Sequence, residues 1–239
     1  MKPNLFQVVI LAGGLATRLR PMTETIPKSL VDVNGEPFIV HQLRLLERNG
    51  IRDIVMCVGY LGEQIIKVIG DGKEHGVNIA YSFDGLQLLG TAGAIKKAMP
   101  LLKDTFFVLY GDSYLPCDYK GAQDAFVQGQ KPALMTVFRN SGQWDTSNVE
   151  FANGQILVYD KKNKTECMQY IDYGLGLFNK QVFTQVPSDG PYDLALLYQN
   201  LLTEQQLSAF EIKERFYEAG SFAGIKELGY YLSSRKCAQ

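Results

Sequence analysis

The hydrophobic positions fall into short runs separated by glycine and polar clusters, and their period changes along the chain. Leu5 to Leu11 is a continuous aliphatic and β-branched run that ends at Gly13-Gly14. A run with no polar face predicts a strand covered on both sides, as in a parallel sheet. Pro37 to Asn49 then sets Phe38, Ile39, Leu43, Leu45 and Leu46 at helical spacing, with Gly50 as the stop. A strand Asp53 to Gly59, a helix Gly62 to Ile69 and a strand Val77 to Ser82 follow. After the glycine-bearing stretch Gly85 to Gly93 come a helix Ala94 to Ala98 and a strand Thr105 to Tyr110. Strands alternating with helices at this spacing predict right-handed βαβ units in a Rossmann-like, doubly wound α/β sheet of three αβα layers.

From Ala133 the connections shorten. Ala133 to Phe138, Val149 to Phe151, Ile156 to Tyr159 and Tyr170 to Phe178 read as strands, with Ala152-Asn153-Gly154 as a tight turn. This part of the sheet is therefore expected to be mixed or antiparallel. Tyr192 to Leu202 and Phe222 to Tyr231 read as helices. One domain over 1–239 is expected, with an alternating half at 1–132 and a smaller β-rich subregion at 133–239.

Composition changes this picture little. The hydrophobic fraction of 46% and charged fraction of 21% are those of a globular protein. A net charge of −1 and a pI near 6.2 exclude a broad nucleic-acid-binding face but leave room for a local phosphate site. Cys57, Cys117, Cys167 and Cys237 form no CxxC pair, which suits free thiols in a reducing compartment. His41 and His75 read as helix-surface or loop residues rather than ligands. The first apolar run is too short to span a membrane and no leader pattern is evident, so a cytoplasmic protein with no membrane partner is expected.

The chemistry concentrates after the first strand, where ligands of open α/β sheets bind. The stretch is Leu11-Ala12-Gly13-Gly14-Leu15-Ala16-Thr17-Arg18-Leu19-Arg20-Pro21, with Pro27-Lys28 beyond. Glycines let backbone N–H groups approach phosphate oxygens, Arg18 offers a planar fork and Lys28 a point charge. The run is neither GxxxxGK[ST] nor GxGxxG. A second feature is Tyr110-Gly111-Asp112-Ser113, which places a carboxylate at a strand's C-terminal edge, where oxygen ligands for Mg²⁺ beside phosphates belong.

Together these residues resemble the signature of the sugar-1-phosphate nucleotidyltransferase family, GGxGTRLxPxT followed by PK, with Ala16 standing where the family usually has Gly. The wording is closest to mannose- and heptose-1-phosphate guanylyltransferases and muramate 1-phosphate uridylyltransferases. The resemblance implies that Leu11, Ala12, Gly13, Gly14, Thr17 and Arg18 bind the nucleotide. It also implies that Leu89-Gly90-Thr91-Ala92-Gly93 packs around the base through Gly90 and Thr91, with Asp84 and Gln87 near the base edge. Arg18, Lys28 and Asp112 would be catalytic. Asp112 and Glu218 would hold Mg²⁺, with Glu218 standing where the family's late motif usually has Asp. Asn148, Asp160, Lys161, Asp172 and Gly174 would bind the sugar phosphate, with Lys162 one slip from Lys161. Trp144 reads as core or lid. Residues 1–132 would then be the nucleotide-binding half and 133–239 the sugar-phosphate-binding half.

The implied reaction joins a nucleoside monophosphate from an NTP, GTP favoured, to a heptose, mannose or similar sugar 1-phosphate, releasing pyrophosphate for NDP-sugar and cell-surface polysaccharide synthesis. Uridylyl transfer to an amino sugar 1-phosphate, cytidylyl transfer to phosphocholine and a catalytically weak nucleotide-sugar sensor remain as alternatives, and homo-oligomer formation stays open.

Overall fold

The computed structural model describes residues 5–15, 17–85 and 87–236. Its strands, in chain order, begin with β1 (Gln7–Ala12), the short hairpin β2 (Asp32–Val33) and β3 (Glu36–Pro37), β4 (Asp53–Val58), β5 (Asn78–Phe83), β6 (Thr105–Tyr110) and β7 (Ser113–Tyr114). β8 (Ala133–Arg139), β9 (Val149–Ala152), β10 (Gln155–Tyr159), β11 (Tyr170–Asn179), β12 (Leu207–Ile212) and β13 (Tyr217–Glu218) complete them. The α-helices are α1 (Phe38–Arg48), α2 (Gly62–Ile69), α3 (Gly90–Ala98), α4 (Tyr119–Gly129), α5 (Leu194–Thr203) and α6 (Phe222–Lys236).

β5, β4, β1 and β6 lie side by side and parallel. The chain steps outward from β1 through β4 to β5 and then returns to the other side of β1 as β6. The strand order therefore reverses between β1 and β6, and the crevice at their carboxyl ends is where an open α/β sheet takes its ligand. The apolar run of β1 has its reason here. Val8 and Ile10 pack under α1, α2 and α4, whereas Val9 packs under α3 and α5, so both faces are buried. The expected mixed α/β sheet between helical layers is what forms, as one domain.

The second half extends the sheet with mixed polarity. β11 runs antiparallel to β6 over Leu175–Asn179 and antiparallel to β8 on its other side, and β12 is parallel to β8. Near Gly174 (φ +95°) the register breaks, and Tyr170 pairs with Val149 of β9 instead of continuing along β6. This split opens a gap beside the end of β6. Gly174 is needed there because its φ lies in the left-handed region.

Several elements escape the sequence pattern. α4 contains Gly121 and four polar side chains, yet it is started by Asp118, whose Oδ1 accepts from Gly121 N at 2.9 Å. β12 is an edge strand with half-buried positions, so its alternation is weak. α3 begins at Gly90 rather than Ala94. His41, expected at a helix surface, is buried in α1, with Nε2 2.8 Å from Val33 O. Among the described residues no helix is long and apolar enough to cross a membrane.

Candidate active site

Two cavities open at the carboxyl ends of β1 and β6, and they share a wall. The first, about 260 Å³, is lined by Leu11, Ala12, Gly13 and Gly14 after β1, Lys28 and Ser29, Gly90 and Thr91 of α3, and Tyr110, Gly111 and Asp112 after β6. Cys57, Asp84, Leu88 and Ala94 complete it. The second, about 500 Å³, is lined by Arg18, Asn148, Lys161, Asp172, Gly174 and Glu218, together with Trp144, Lys164 and Phe216. Tyr110 and Asp112 line both.

The first cavity is shaped by close backbone approach. A Cβ on Gly13 would come within 3.1 Å of Gly59 N and 3.3 Å of Asp84 Oδ2, whereas one on Gly14 would meet nothing within 4 Å. The protein itself therefore crowds Gly13 but not Gly14. Gly111 is tighter still, because a Cβ would lie 2.9 Å from Leu11 O and 3.0 Å from Ala12 Cα. Gly111 N donates to Leu11 O at 2.9 Å, so the ends of β1 and β6 are pinned together under the cavity. Opposite, Gly90 (φ +70°) turns the chain into α3 against the Tyr192 backbone. The Thr91 hydroxyl, implied as a base contact, already accepts from Leu194 N at 2.6 Å and donates to Asp193 Oδ1 at 3.1 Å, so it caps α5. Asp84 is 8% exposed, and its Oδ2 accepts from Leu89 N at 3.3 Å. Burial raises its pKa, against the Leu89 hydrogen bond and the Lys97 charge, which lower it.

On the shared wall, the Lys28 ammonium pairs with the Asp112 carboxylate. Gln42, buried on α1, donates to Tyr110 O at 2.9 Å and Ser113 O at 2.7 Å, which fixes the turn carrying Asp112. The turn is also tied to the late segment. β13 pairs with β7 so that Glu218 faces Ser113, and Ala219 N donates to Asp112 O at 2.8 Å. Glu218 Oε2 accepts from Gly220 N, and Oε1 accepts from the Ser221 hydroxyl at 2.5 Å. A Cβ on Gly220 would strike both Glu218 and Lys28. Asp112, on the turn just before β7, and Glu218, on β13, are thus two carboxylates on adjoining segments. Among the described residues no group of three or more His, Cys, Asp or Glu side chains gathers as a metal cluster.

In the second cavity Lys161 Nζ lies 3.8 Å from Asp172 Oδ2 and over the rings of Tyr110 and Tyr159 at 5.5 and 5.9 Å. Burial works against this ammonium. The Tyr110 oxygen and the Asp172 and Asp193 carboxylates outweigh it and raise its pKa. Asp172 is held by Tyr159 OH at 3.2 Å and Gly174 N at 3.0 Å. Asn148 Oδ1 accepts from Asp172 N at 2.9 Å, which fixes the orientation of its amide.

Three expected residues stand elsewhere. Asp160 lines neither cavity, because its carboxylate turns back to accept from Lys162 N at 2.7 Å and from Asn163 N and Nδ2, both at 3.0 Å. Those bonds hold its pKa below the usual carboxylate value. Thr17 is exposed and lines neither cavity, and Arg18 lines the second cavity rather than the glycine-lined one. The departure at Ala16 lies outside the described residues. Lys161 lines the second cavity and Lys162 does not. Trp144 is 44% exposed at the rim, so it is not core. Sequence reading did not single out Tyr110 or Ser29, and the signal for Tyr110 was its place just before Gly111-Asp112.

Comparison with known proteins adds the lineage. The family model described as nucleotidyl transferase matches residues 7–213. The chain is 33% identical over 206 residues to UTP–glucose-1-phosphate uridylyltransferase from Synechocystis, covering 79% of this chain and 53% of that protein. It is 44% identical over 117 residues to N-acetylmuramate alpha-1-phosphate uridylyltransferase from Neisseria meningitidis (48% and 51%). To mannose-1-phosphate guanyltransferase from Saccharomyces cerevisiae it is 30% identical over 219 residues (89% and 60%). The chain thus matches about half to three fifths of the length of these curated relatives. In fold it resembles HddC from Yersinia pseudotuberculosis, solved with GMP-PN, at a TM-score of 0.80 and 24% identity, over 95% of this chain and 100% of that one.

Proposed function

The chain belongs to the nucleotidyl transferase family, and from that premise we propose that it transfers a nucleoside monophosphate from an NTP to a sugar 1-phosphate, releasing pyrophosphate. The observation that carries this reading is the shared wall. A triphosphate lying over Gly13-Gly14 and a phosphate held by Lys161 would meet at Tyr110 and Asp112. On this reading 1–132 supplies the nucleotide-binding half, and 133–239 contributes most of the acceptor wall.

The acceptor's phosphate oxygen attacks the α-phosphorus in line, the bond from that phosphorus to the α–β bridging oxygen breaks, and pyrophosphate leaves with the electron pair. A sugar phosphate is already ionised near neutral pH, so no general base is required. Positioning and charge neutralisation supply the rate. Lys28, paired with Asp112 on the shared wall, balances charge at the α-phosphate, Lys161 holds the acceptor phosphate, and Arg18 neutralises charge from the acceptor side. Asp112 and Glu218 suit Mg²⁺, which takes oxygen ligands and completes its shell with phosphates and water. Glu218 is already oriented by Gly220 N and Ser221. Bound there, the ion would supply neutralisation of the transferred phosphoryl group.

Asp84 favours GTP. Guanine presents adjacent N–H donors, and an anionic acceptor in the cavity wall matches them, whereas uracil offers one donor between two carbonyls. Uridylyl transfer to an amino sugar 1-phosphate is the second reading, favoured by the 44% identity to the Neisseria enzyme. The test is pyrophosphate release with GTP, UTP, CTP and dTTP against mannose, heptose, glucose and N-acetylated amino sugar 1-phosphates and phosphocholine, with and without Mg²⁺. Release that needs both sugar phosphate and metal, and is fastest with GTP, is the expected result. Release from no pair would sink the reading, and release only with CTP and phosphocholine would replace the acceptor.

A further inference from the structure

We infer that Trp144 is a wall of the acceptor site that packs against the sugar ring, and that Arg215 positions it and ties it to the strand bearing Glu218. This rests on the acceptor cavity proposed above. Trp144 is the chain's single tryptophan. It lines the second cavity and is 44% exposed, so part of the ring is open to a ligand there.

The loop that presents the ring is organised rather than slack. Asn140 is fully buried, its Oδ1 accepts from Trp144 N at 3.2 Å, and its Nδ2 donates to Asp145 O at 2.6 Å and Ser147 Oγ at 3.1 Å. One side chain therefore fixes the backbone on both sides of the indole.

The ring is also clamped. The Arg215 guanidinium lies 3.4 Å from its centroid and 4.8 Å from that of Tyr217, and it pairs with Glu227. Tyr217 in turn stacks on Tyr231 at 4.2 Å with the ring planes 27° apart. A ladder of rings and cations thus runs from the cavity lip through β13 into α6. Tyr217 immediately precedes Glu218, so the ladder couples the acceptor wall to the candidate metal ligand. The C–H face of a pyranose carries slight positive charge and packs on the negative face of an indole, as cations do more strongly.

Because the chain has one tryptophan, emission excited beyond the tyrosine absorption band reports this wall alone. Calorimetry, with and without GTP or UTP and Mg²⁺, first identifies which of mannose, heptose, glucose and N-acetylated amino sugar 1-phosphates binds the full chain. That compound should change Trp144 emission saturably with the calorimetric affinity, and inorganic phosphate should not. Trp144→Ala should raise the acceptor KM about 3- to 10-fold with the NTP KM unchanged, and Trp144→Phe should restore most of it. Arg215→Ala should raise acceptor KM and lower kcat together, and Arg215→Lys should not rescue it, because the stack needs a planar fork. A sugar phosphate that binds without altering emission, together with an unchanged KM in Trp144→Ala, overturns the inference and leaves the proposed reaction standing. Calorimetry that detects no sugar 1-phosphate binding overturns both.

Discussion

Gly90→Ala is expected to be among the most damaging single-methyl additions in the glycine-lined cavity, and Gly154→Ala measures how much of that damage is conformational. Both glycines have left-handed φ, +70° at Gly90 and +76° at Gly154 in the β9–β10 turn. Holding an L-residue there costs about 1–2 kcal/mol in each case. The surroundings differ. A Cβ on Gly154 would meet nothing within 4 Å, whereas one on Gly90 would lie 2.7, 2.9 and 3.0 Å from Tyr192 O, N and C. Backbone can yield only by breaking bonds, and Tyr192 is held by Tyr192 N to Leu89 O at 2.8 Å and Ala92 N to Tyr192 O at 2.9 Å. Overpacking of this kind adds about 1–3 kcal/mol. Gly90→Ala should therefore lose about 2–5 kcal/mol, or roughly 4–20 °C in Tm for a chain of this size, against about 2–8 °C for Gly154→Ala. Urea unfolding followed by circular dichroism, with m held equal, gives both values. GTP should stabilise Gly154→Ala as it does the parent, and Gly90→Ala much less. Equal losses in the two variants would refute the claim that Tyr192 makes Gly90 obligatory.

Other outcomes follow from the same geometry. Asp112→Asn should lower turnover about 10²- to 10³-fold while far-ultraviolet circular dichroism and Tm stay near the parent's; retained turnover would remove Asp112 from the metal site. Iodoacetamide at about pH 8 should label exposed Cys167 and spare Cys57, whose thiol burial pushes up to about 12, and Cys117, also pushed up by burial. Peptide mass spectrometry reads this directly, and rapid Cys57 labelling would contradict its burial. Burial raises the Asp84 pKa above its ordinary 3.8, so the folded state penalises its charge. Its contribution to stability is present below the ordinary value and is lost as pH climbs through the raised one. Asp84→Asn should accordingly gain Tm relative to the parent at about pH 7 and lose that gain near pH 3. A pH-independent difference would count against the shift.

The sheet was legible because its central strands are apolar on both faces, and Gly13-Gly14 were legible as crevice-lining because they follow the first of those strands. The place of Asp112 on the cavity wall was legible for the same reason, two residues past a clear strand. What escaped depended on tertiary partners. Asp160 has the right residue type beside Lys161, but a local turn captures its carboxylate, and nothing in the dipeptide distinguishes a sugar contact from a self-capped loop. Thr91 reads as a ligand until Leu194, 103 positions away, takes its hydroxyl. Arg18 sits in a 3₁₀ turn whose direction no periodicity dictates. Trp144 escaped because an exposed ring has meaning only once Arg215 is seen against it.

The partition formed by Tyr110 and Asp112 bears on the kinetic order of the reaction. Lys28 is paired with Asp112, Cys57 is held as a buried thiol, and among the described residues no histidine lines either chamber. On the proposed reaction transfer across the partition is direct, so both substrates would have to be aboard before any bond breaks. Initial-rate lines should then intersect rather than run parallel, and labelled pyrophosphate should fail to exchange into NTP until nucleotide sugar is present.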